Sequence, residues 1–269
     1  MNIENCVYES IIAAIKAGNK IMEIYNDPKS DFEIEKKSDN SPVTIADKKA
    51  DKIIKNHLQK INIPLLSEEG KNIEYEKRKN WDYYFLVDPL DGTKEFLKKN
   101  NEFTVNIALI NKNKPIAGVV YLPVLKTLYF GYDKKSYKIE NISENKDLKS
   151  NLKDFIKTAK VLSPKTKPKE YTIIATRSHQ NDELKKFIKE KEKIHGKVNF
   201  ISAGSSLKFC KIAEGLAHVY PRTGPTMEWD TAAGHCVCEG AGLEVKNLES
   251  GKSLIYNKKN LLNPNFVVK

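Results

Sequence analysis

The chain has 269 residues, 40% of them hydrophobic and 9% aromatic, enough to bury a full core and to exclude wholesale disorder. No apolar run approaches the ~20 residues that a membrane-spanning helix needs, and Glu4 and Glu9 interrupt the positions where a secretory leader would place its apolar core. The formal charge of +11 rests on scattered lysines, with three arginines (Arg78, Arg177, Arg222) among 46 basic residues, which argues against a nucleic-acid reader and leaves a field able to steer an anionic substrate.

Residues Glu4–Tyr25 carry Val7, Ile11, Ala14, Ile15, Gly18, Met22 and Tyr25 at helical spacing, and Asn26-Asp27-Pro28 ends that helix. A short alternating stretch (Phe32, Ile34) and a polar loop, Lys36–Pro42, lead to a second helix beginning near Thr44. Two strand-like runs follow, Ile63–Ser67 and Tyr83–Val87. Each delivers acidic residues at its C-terminal end: Glu68-Glu69 after the first, Asp88 and Asp91 after the second. From Phe103 to Tyr132 the pattern is a β-meander, with Val105, Ile107 and Leu109 alternating before the Asn111–Pro115 turn. Asp133–Lys169 is lysine-rich and weakly periodic, and reads as a surface excursion between two lobes of one domain, about 1–140 and about 171–269.

The second lobe opens with a strand, Tyr171–Thr176, and a charged helix, Asp182–Lys193. Ser205-Ser206 starts a helix closed by Gly215. A short strand Ala217–Tyr220, a loop Pro221–Glu228, a small-residue helix of roughly Asp230–Glu239 and two or three terminal strands complete the chain. The four cysteines (Cys6, Cys210, Cys236, Cys238) form no metal or disulfide pattern, and at least Cys210 and Cys236 read as small buried hydrophobes.

The chemistry concentrates in Asp88-Pro89-Leu90-Asp91-Gly92-Thr93. Pro89 fixes its own φ and biases Asp88 toward an extended backbone, so the turn can aim Asp88, the Leu90 carbonyl and Asp91 at one point. Hard divalent cations want that all-oxygen mixture. Gly92 and Thr93 lead into a helix expected at Lys94–Leu97, whose free N–H groups suit phosphate oxygens. Alone, the motif is more often simply a well-formed turn before a capped helix. Glu68 alone could be a loop charge, Asp230 a favourable N-terminal helix charge, and Asp47 the acidic end of a Thr44-x-x-Asp47 capping box. Their joint occurrence favours a site.

Val43-Thr44-Ile45-Ala46-Asp47, Leu66-Ser67-Glu68-Glu69, Leu86-Val87-Asp88-Pro89-Leu90-Asp91-Gly92-Thr93-Lys94-Glu95-Phe96 and Glu228-Trp229-Asp230-Thr231-Ala232-Ala233-Gly234 resemble the inositol monophosphatase superfamily, in order and spacing over nearly the whole chain. Lys94-Glu95-Phe96 and Gly204-Ser205-Ser206-Leu207-Lys208-Phe209-Cys210 most resemble its 3′(2′),5′-bisphosphate nucleotidase branch.

The resemblance implies a mixed α/β fold built as a five-layer α-β-α-β-α sandwich, with the metal site in the first lobe and substrate contacts in the second. It implies dependence on two or three Mg²⁺ ions, sensitivity to lithium, and hydrolysis of adenosine 3′,5′-bisphosphate to AMP and phosphate by in-line attack of a metal-activated water. By carry-over, Glu68, Asp88 and the Leu90 carbonyl hold one Mg²⁺, and Asp88, Asp91 and Asp230 a second. Asp47 and Thr93 orient the water and take its proton. Glu68, Leu90, Asp91, Gly92, Thr93 and Asp230 also border the substrate. The branch points to recycling of the nucleotide by-product of sulfate activation, in the cytoplasm, with the positive charge permitting peripheral contact with the inner membrane face.

A second anion site would be needed for the 5′-phosphate. Ser205 and Lys208, at i and i+3 of a helix start, suit one, and Arg222 could add a bidentate contact. Ordinary N-capping by Ser205 and an exposed helix charge at Lys208 are the alternatives. His179 could contact ribose or base, or simply sit on a surface loop. The competing functions are an inositol monophosphatase or another sugar-phosphate phosphatase of the same superfamily, and a basic RNA-binding protein on a degenerate phosphatase fold. The intact acidic set argues against the last.

Overall fold

Helix α1 (Ile3–Asn26) begins at Asn2, whose side chain accepts from the Asn5 N–H at 3.0 Å, and stops where Asp27-Pro28 turns the chain. The computed structural model describes residues 1–36, 42–142, 148–164, 167–175 and 181–269. After α1, Phe32 and Glu33 take φ of +62° and +44°, so the expected alternating stretch is a turn rather than a strand. Short strands β1 (Glu35–Lys36) and β2 (Pro42–Val43) pair antiparallel and deliver the chain to α2 (Ile45–Leu58).

A seven-stranded sheet carries the molecule. In spatial order its strands are β3 (Leu65–Ser67), β4 (Tyr83–Asp91), β5 (Thr104–Asn111), β6 (Lys114–Leu122), β7 (Thr127–Tyr132), β8 (Lys135–Ile139) and β9 (Lys160–Val161). Only β3 and β4 run parallel, with the one-turn helix α3 (Tyr75–Arg78) in their crossover; α4 (Thr93–Leu97) follows β4. Alternation along β5 divides two cores. Val105, Ile107 and Leu109 pack under α1 and α2, and Ala108 and Ile110 face the other way.

The expected surface excursion over Asp133–Lys169 is corrected at both ends. Strand β8 pairs with β7 and β9 with β8, and α5 (Leu152–Thr158) buries Leu152 and Phe155 in the first core. Elements this short offer too few apolar positions for a period to emerge above the lysines between them.

The remaining elements are β10 (Thr172–Ala175), α6 (Asp182–His195), β11 (Asn199–Ser202), α7 (Leu207–Ala213), β12 (Tyr220–Arg222), α8 (Glu228–Gly240), β13 (Val245–Asn247) and β14 (Phe266–Val268). Strands β10 and β11 pair in parallel, while β12 and β13 flank β14 antiparallel. A parallel bridge between Ile173 and Val219 joins the two pieces into one second sheet. The strand expected at Ala217–Tyr220 is therefore displaced, with Val219 bridging and regular pairing starting at Tyr220. Edge strand β11, with Phe200 half exposed, has no counterpart in the sequence reading.

Helices α7 and α8 fill the space between the sheets. Phe209, Ile212 and Val237 pack against Tyr84 and Val120 on one side and Tyr220 and Phe266 on the other. Helix α6 lies outside the second sheet, with Phe187 and Ile188 on Ile173 and Val267. The layers run α-β-α-β-α, as expected. All four cysteines are free and buried. No helix among the described residues is long and apolar enough to cross a membrane.

One close approach sets the height of α8. Gly118 and Gly131 face each other in register on β6 and β7. A methyl group on Gly118 would overlap the Ala233 carbonyl, and one on Gly131 would lie 2.6 Å from the Cys236 carbonyl oxygen. With no Cβ at these two sheet positions, the backbone of Ala233 and Cys236 rests nearly on the backbone of the strands. That contact fixes where the first turn of α8, and Asp230 within it, can stand.

Candidate active site

Four element ends converge here. Glu68 follows β3, Asp88 and Asp91 lie in the last residues of β4, Asp47 occupies the first turn of α2 and Asp230 the first turn of α8. Ligand oxygens of Glu68, Asp88 and Asp230 lie within 4.8 Å of one another; Asp91 stands outside that triad, close enough for its charge to act on Asp88 and Asp230.

Local bonds hold the chain around these carboxylates. Ser67 Oγ donates to Asp51 Oδ1 at 2.6 Å, pinning the end of β3 to α2 just before Glu68. Asp88 Oδ1 accepts from the Leu90 N–H at 3.1 Å, and β4 shifts register between Asp88 and Asp91, a bulge after which pairing with β5 resumes at Asp91 and Thr104. Asp230 Oδ2 accepts from the Met227 N–H at 2.9 Å.

Burial pushes the Asp88 carboxyl well above the usual carboxylate range, and the charges of Glu68, Asp91 and Asp230 push it further. Burial also raises Asp230, with Asp91 and Glu68 adding to it and the Met227 N–H and Arg222 opposing. Buried carboxylates this close cannot all ionise without a compensating cation. An all-oxygen donor set of this kind fits Mg²⁺, so the residues present match the metal that the resemblance implies.

Asp47 serves two ends. Its Oδ2 accepts from the Thr44 N–H at 2.7 Å and the Thr44 hydroxyl at 2.5 Å, completing the capping box of α2. Its Oδ1 accepts from Thr93 Oγ1 at 3.0 Å. The capping reading and a place in the site therefore coexist. Burial raises the Asp47 carboxyl, against the lowering effect of its bonds to Thr44 and Thr93. Gly92 precedes Thr93 at φ +93°, a conformation that favours glycine. Phe96, fully buried among Tyr25, Phe32 and Phe103, anchors the short α4; that burial stabilises by roughly 1.5–3 kcal/mol.

Asp91, Gly92, Lys94, Glu95, Ser205, Lys208, Arg222 and Asp230 line a cleft of about 540 Å³. Lys94 and Arg222 also line an adjoining pocket of about 320 Å³. Lys208 is buried, and its ammonium donates to the Ser205 carbonyl at 2.8 Å and the Ala203 carbonyl at 3.3 Å. Burial pulls its pKa down to about 8, with Asp91 opposing. Arg222 donates to the Gly224 and Pro225 carbonyls at 3.1 and 2.9 Å. The Ser205 hydroxyl contacts Asp91 Oδ2 and Thr104 Oγ1, each at 2.7 Å. His179 lies outside the described residues.

Several residues that the sequence reading passed over belong here. Thr104 and Asn106 are buried polar positions in a strand otherwise apolar up to Ile110, a signal in plain view. Ser206 holds the N-cap position of α7 yet makes no side-chain cap bond there; its hydroxyl turns to Asp91 instead, forgoing about 1 kcal/mol of capping. Glu228, fully buried two residues before Asp230, accepts from the backbone of Asn257 and Lys258 and from the Lys258 ammonium at 2.6 Å.

A model of the inositol monophosphatase family matches residues 3–267. The chain is 43% identical over 258 residues to the 3′(2′),5′-bisphosphate nucleotidase CysQ of Salmonella typhimurium, covering 95% of this chain and 96% of that one. The figures are the same for the protein of that name from Escherichia coli K12. Among solved structures, CysQ from Bacteroides thetaiotaomicron, a bacterial member of the inositol monophosphatase family, superposes with a TM-score of 0.92 at 46% identity. That alignment covers 100% of this chain and 98% of the other.

Proposed function

This chain belongs to the inositol monophosphatase family, and on that premise we propose that it is a 3′(2′),5′-bisphosphate nucleotidase that converts adenosine 3′,5′-bisphosphate to AMP and phosphate. The observation that carries the reading is the Glu68, Asp88 and Asp230 triad, which shares Asp230 with a cleft lined also by Asp91, Lys94, Lys208 and Arg222. An anionic substrate with two separated phosphates needs both halves of that arrangement.

Glu68, Asp88 and the Leu90 carbonyl would hold one Mg²⁺, and Asp88, Asp91 and Asp230 a second. Bound Mg²⁺ supplies Lewis-acid stabilisation of the phosphoryl oxygens and makes water more acidic. The chain's own residues do the rest. Thr93 Oγ1, which donates to Asp47 Oδ1, would receive a hydrogen bond from the attacking water and relay its proton to Asp47. The raised pKa of Asp47 suits a group that takes up a proton during the reaction. The N–H groups of Gly92 and Thr93 would bind the phosphoryl oxygens.

Two of the three Lys208 protons are taken by backbone carbonyls, which leaves one for the second phosphate. Arg222, lining the same cleft, adds positive charge. The adjoining pocket gives the ligand room beyond an inositol ring. The nucleotide by-product of sulfate activation arises in the cytoplasm, and we infer that the protein acts there. Phosphorus NMR of the reaction with adenosine 3′,5′-bisphosphate tests the regiochemistry. The 5′-phosphate is retained in AMP if the reading is right, and a 3′-monophosphate product would refute it.

A further inference from the structure

Asp91 is held by its back oxygen. Ser205 Oγ (2.7 Å), the Ser206 N–H (2.8 Å), Ser206 Oγ (2.9 Å) and Asn106 Nδ2 (3.3 Å) all converge on Oδ2, and none of these bonds goes to Oδ1. Charged acceptors win competitions for a single hydroxyl proton. Ser206 Oγ also lies 3.0 Å from the Asp230 carbonyl and accepts from Asn106 Nδ2 at 2.9 Å, so one side chain touches the supports of two acidic residues.

Behind this layer stands Thr104. Its Oγ1 is 3.0 Å from Asn106 Oδ1 and 2.7 Å from Ser205 Oγ, and it is wholly buried. An amide can present either end. A hydroxyl donating to Asn106 Oδ1 keeps the Nδ2 end toward Asp91, where the carbonyl end would repel the carboxylate. The turn before α7 is held from the far side as well. Ser205 sits at φ +50°, a left-handed conformation unfavourable for a side-chain-bearing residue, and Lys208 clamps the Ser205 and Ala203 carbonyls.

We propose that Thr104, Asn106 and Ser206 are positioning residues that preset Asp91 for Mg²⁺ by saturating Oδ2 with donors and turning Oδ1 into the site, without touching the ion themselves. The proposal rests on the reading of Asp91 as a metal ligand. It makes cation affinity a property of β5 and α7, whose residues contribute no ligand atom. Removing partners of this kind weakens metal binding by about 10–100-fold.

Calorimetric titration of Mg²⁺ into the substrate-free full-length chain tests it. Ser206→Ala should weaken Mg²⁺ binding by about 10-fold or more. Thr104→Val, which keeps the shape and loses the hydroxyl, should weaken it as well, and Thr104→Ser should restore it. The melting temperature without Mg²⁺ reports whether each variant is folded; if Ser206→Ala fails to fold, the Thr104 pair decides. Wild-type Mg²⁺ affinity in folded Thr104→Val overturns the proposal. So does an altered ratio of rates on adenosine 3′,5′-bisphosphate and inositol 1-phosphate at unchanged Mg²⁺ affinity, which would make these residues substrate contacts. A wild-type preference for inositol 1-phosphate would instead refute the nucleotidase reading and leave the titration result standing.

Discussion

Thr93 Oγ1 donates to Asp47 Oδ1 over 3.0 Å, tying the first turn of α4 to the first turn of α2. Because the Thr44 cap occupies the other Asp47 oxygen, the carboxylate cannot rotate away from Thr93. Thr93→Val keeps the volume and removes the relay. It should lower kcat by about 10²–10⁴-fold, the usual contribution of a positioned proton acceptor, while KM and the melting temperature stay near wild type. Steady-state kinetics with both parameters resolved would check this. A rise in KM at unchanged kcat would assign Thr93 to binding alone.

The acidic triad opposes folding when no cation is bound. Asp88 sits fully buried with its carboxyl pushed up by burial and by three acidic neighbours. Asp88→Asn removes the cost of charging or protonating that carboxyl on folding, so the metal-free variant should melt higher than metal-free wild type by several degrees, about 1–2 kcal/mol. Turnover should be lost. Adding Mg²⁺ should raise the melting temperature of wild type and barely move the variant, a crossing visible by differential scanning calorimetry.

Lys208 gives a pH signature. Burial lowers its pKa to about 8, and the protonated form is the one that attracts a phosphate. Below about 8 the charge is present in the free protein, and it is lost as pH rises through that value. KM for adenosine 3′,5′-bisphosphate should therefore climb above pH 8, while KM for a substrate with a single phosphate should not. Lys208→Met should abolish the difference between the two pH profiles.

Gly118→Ala tests the seat of α8. The added methyl meets the Ala233 carbonyl, so the helix must lift from the sheet and carry Asp230 with it. Overpacking of this kind costs about 1–3 kcal/mol, or roughly 2–4 °C per kcal/mol in a chain of this size. Mg²⁺ affinity should fall in the same variant. Destabilisation with unchanged Mg²⁺ affinity would show that α8 packing and the position of Asp230 are independent.

Much of the site is legible in sequence because its parts are local. Thr44-x-x-Asp47 announces a capping box, Asp88-Pro89-Leu90-Asp91-Gly92 a turn at a strand end, and Glu68 and Asp230 each mark an element boundary. Lys94-Glu95-Phe96 carries its own anchor in Phe96. What escapes is contact across distance. Asn106 and Ser206 reach Asp91 from 15 and 115 residues away, and nothing in either neighbourhood points to that partner. Gly118 and Gly131 read as weak points in strands until α8 lies on them. Strands β9 and β11 are short edges with exposed side chains, below what alternation can reveal. Ser205 and Lys208 show the reverse: the helix start is where the sequence puts it, but backbone carbonyls and Asp91 already hold their polar groups.

The most direct test is phosphate release by the purified full-length protein, with and without Mg²⁺, from adenosine 3′,5′-bisphosphate and inositol 1-phosphate in parallel. A two-part site of carboxylates and cationic side chains should release phosphate only with Mg²⁺, and should do so with the higher kcat/KM from the nucleotide. Release without Mg²⁺, or a higher kcat/KM from inositol 1-phosphate, would contradict it.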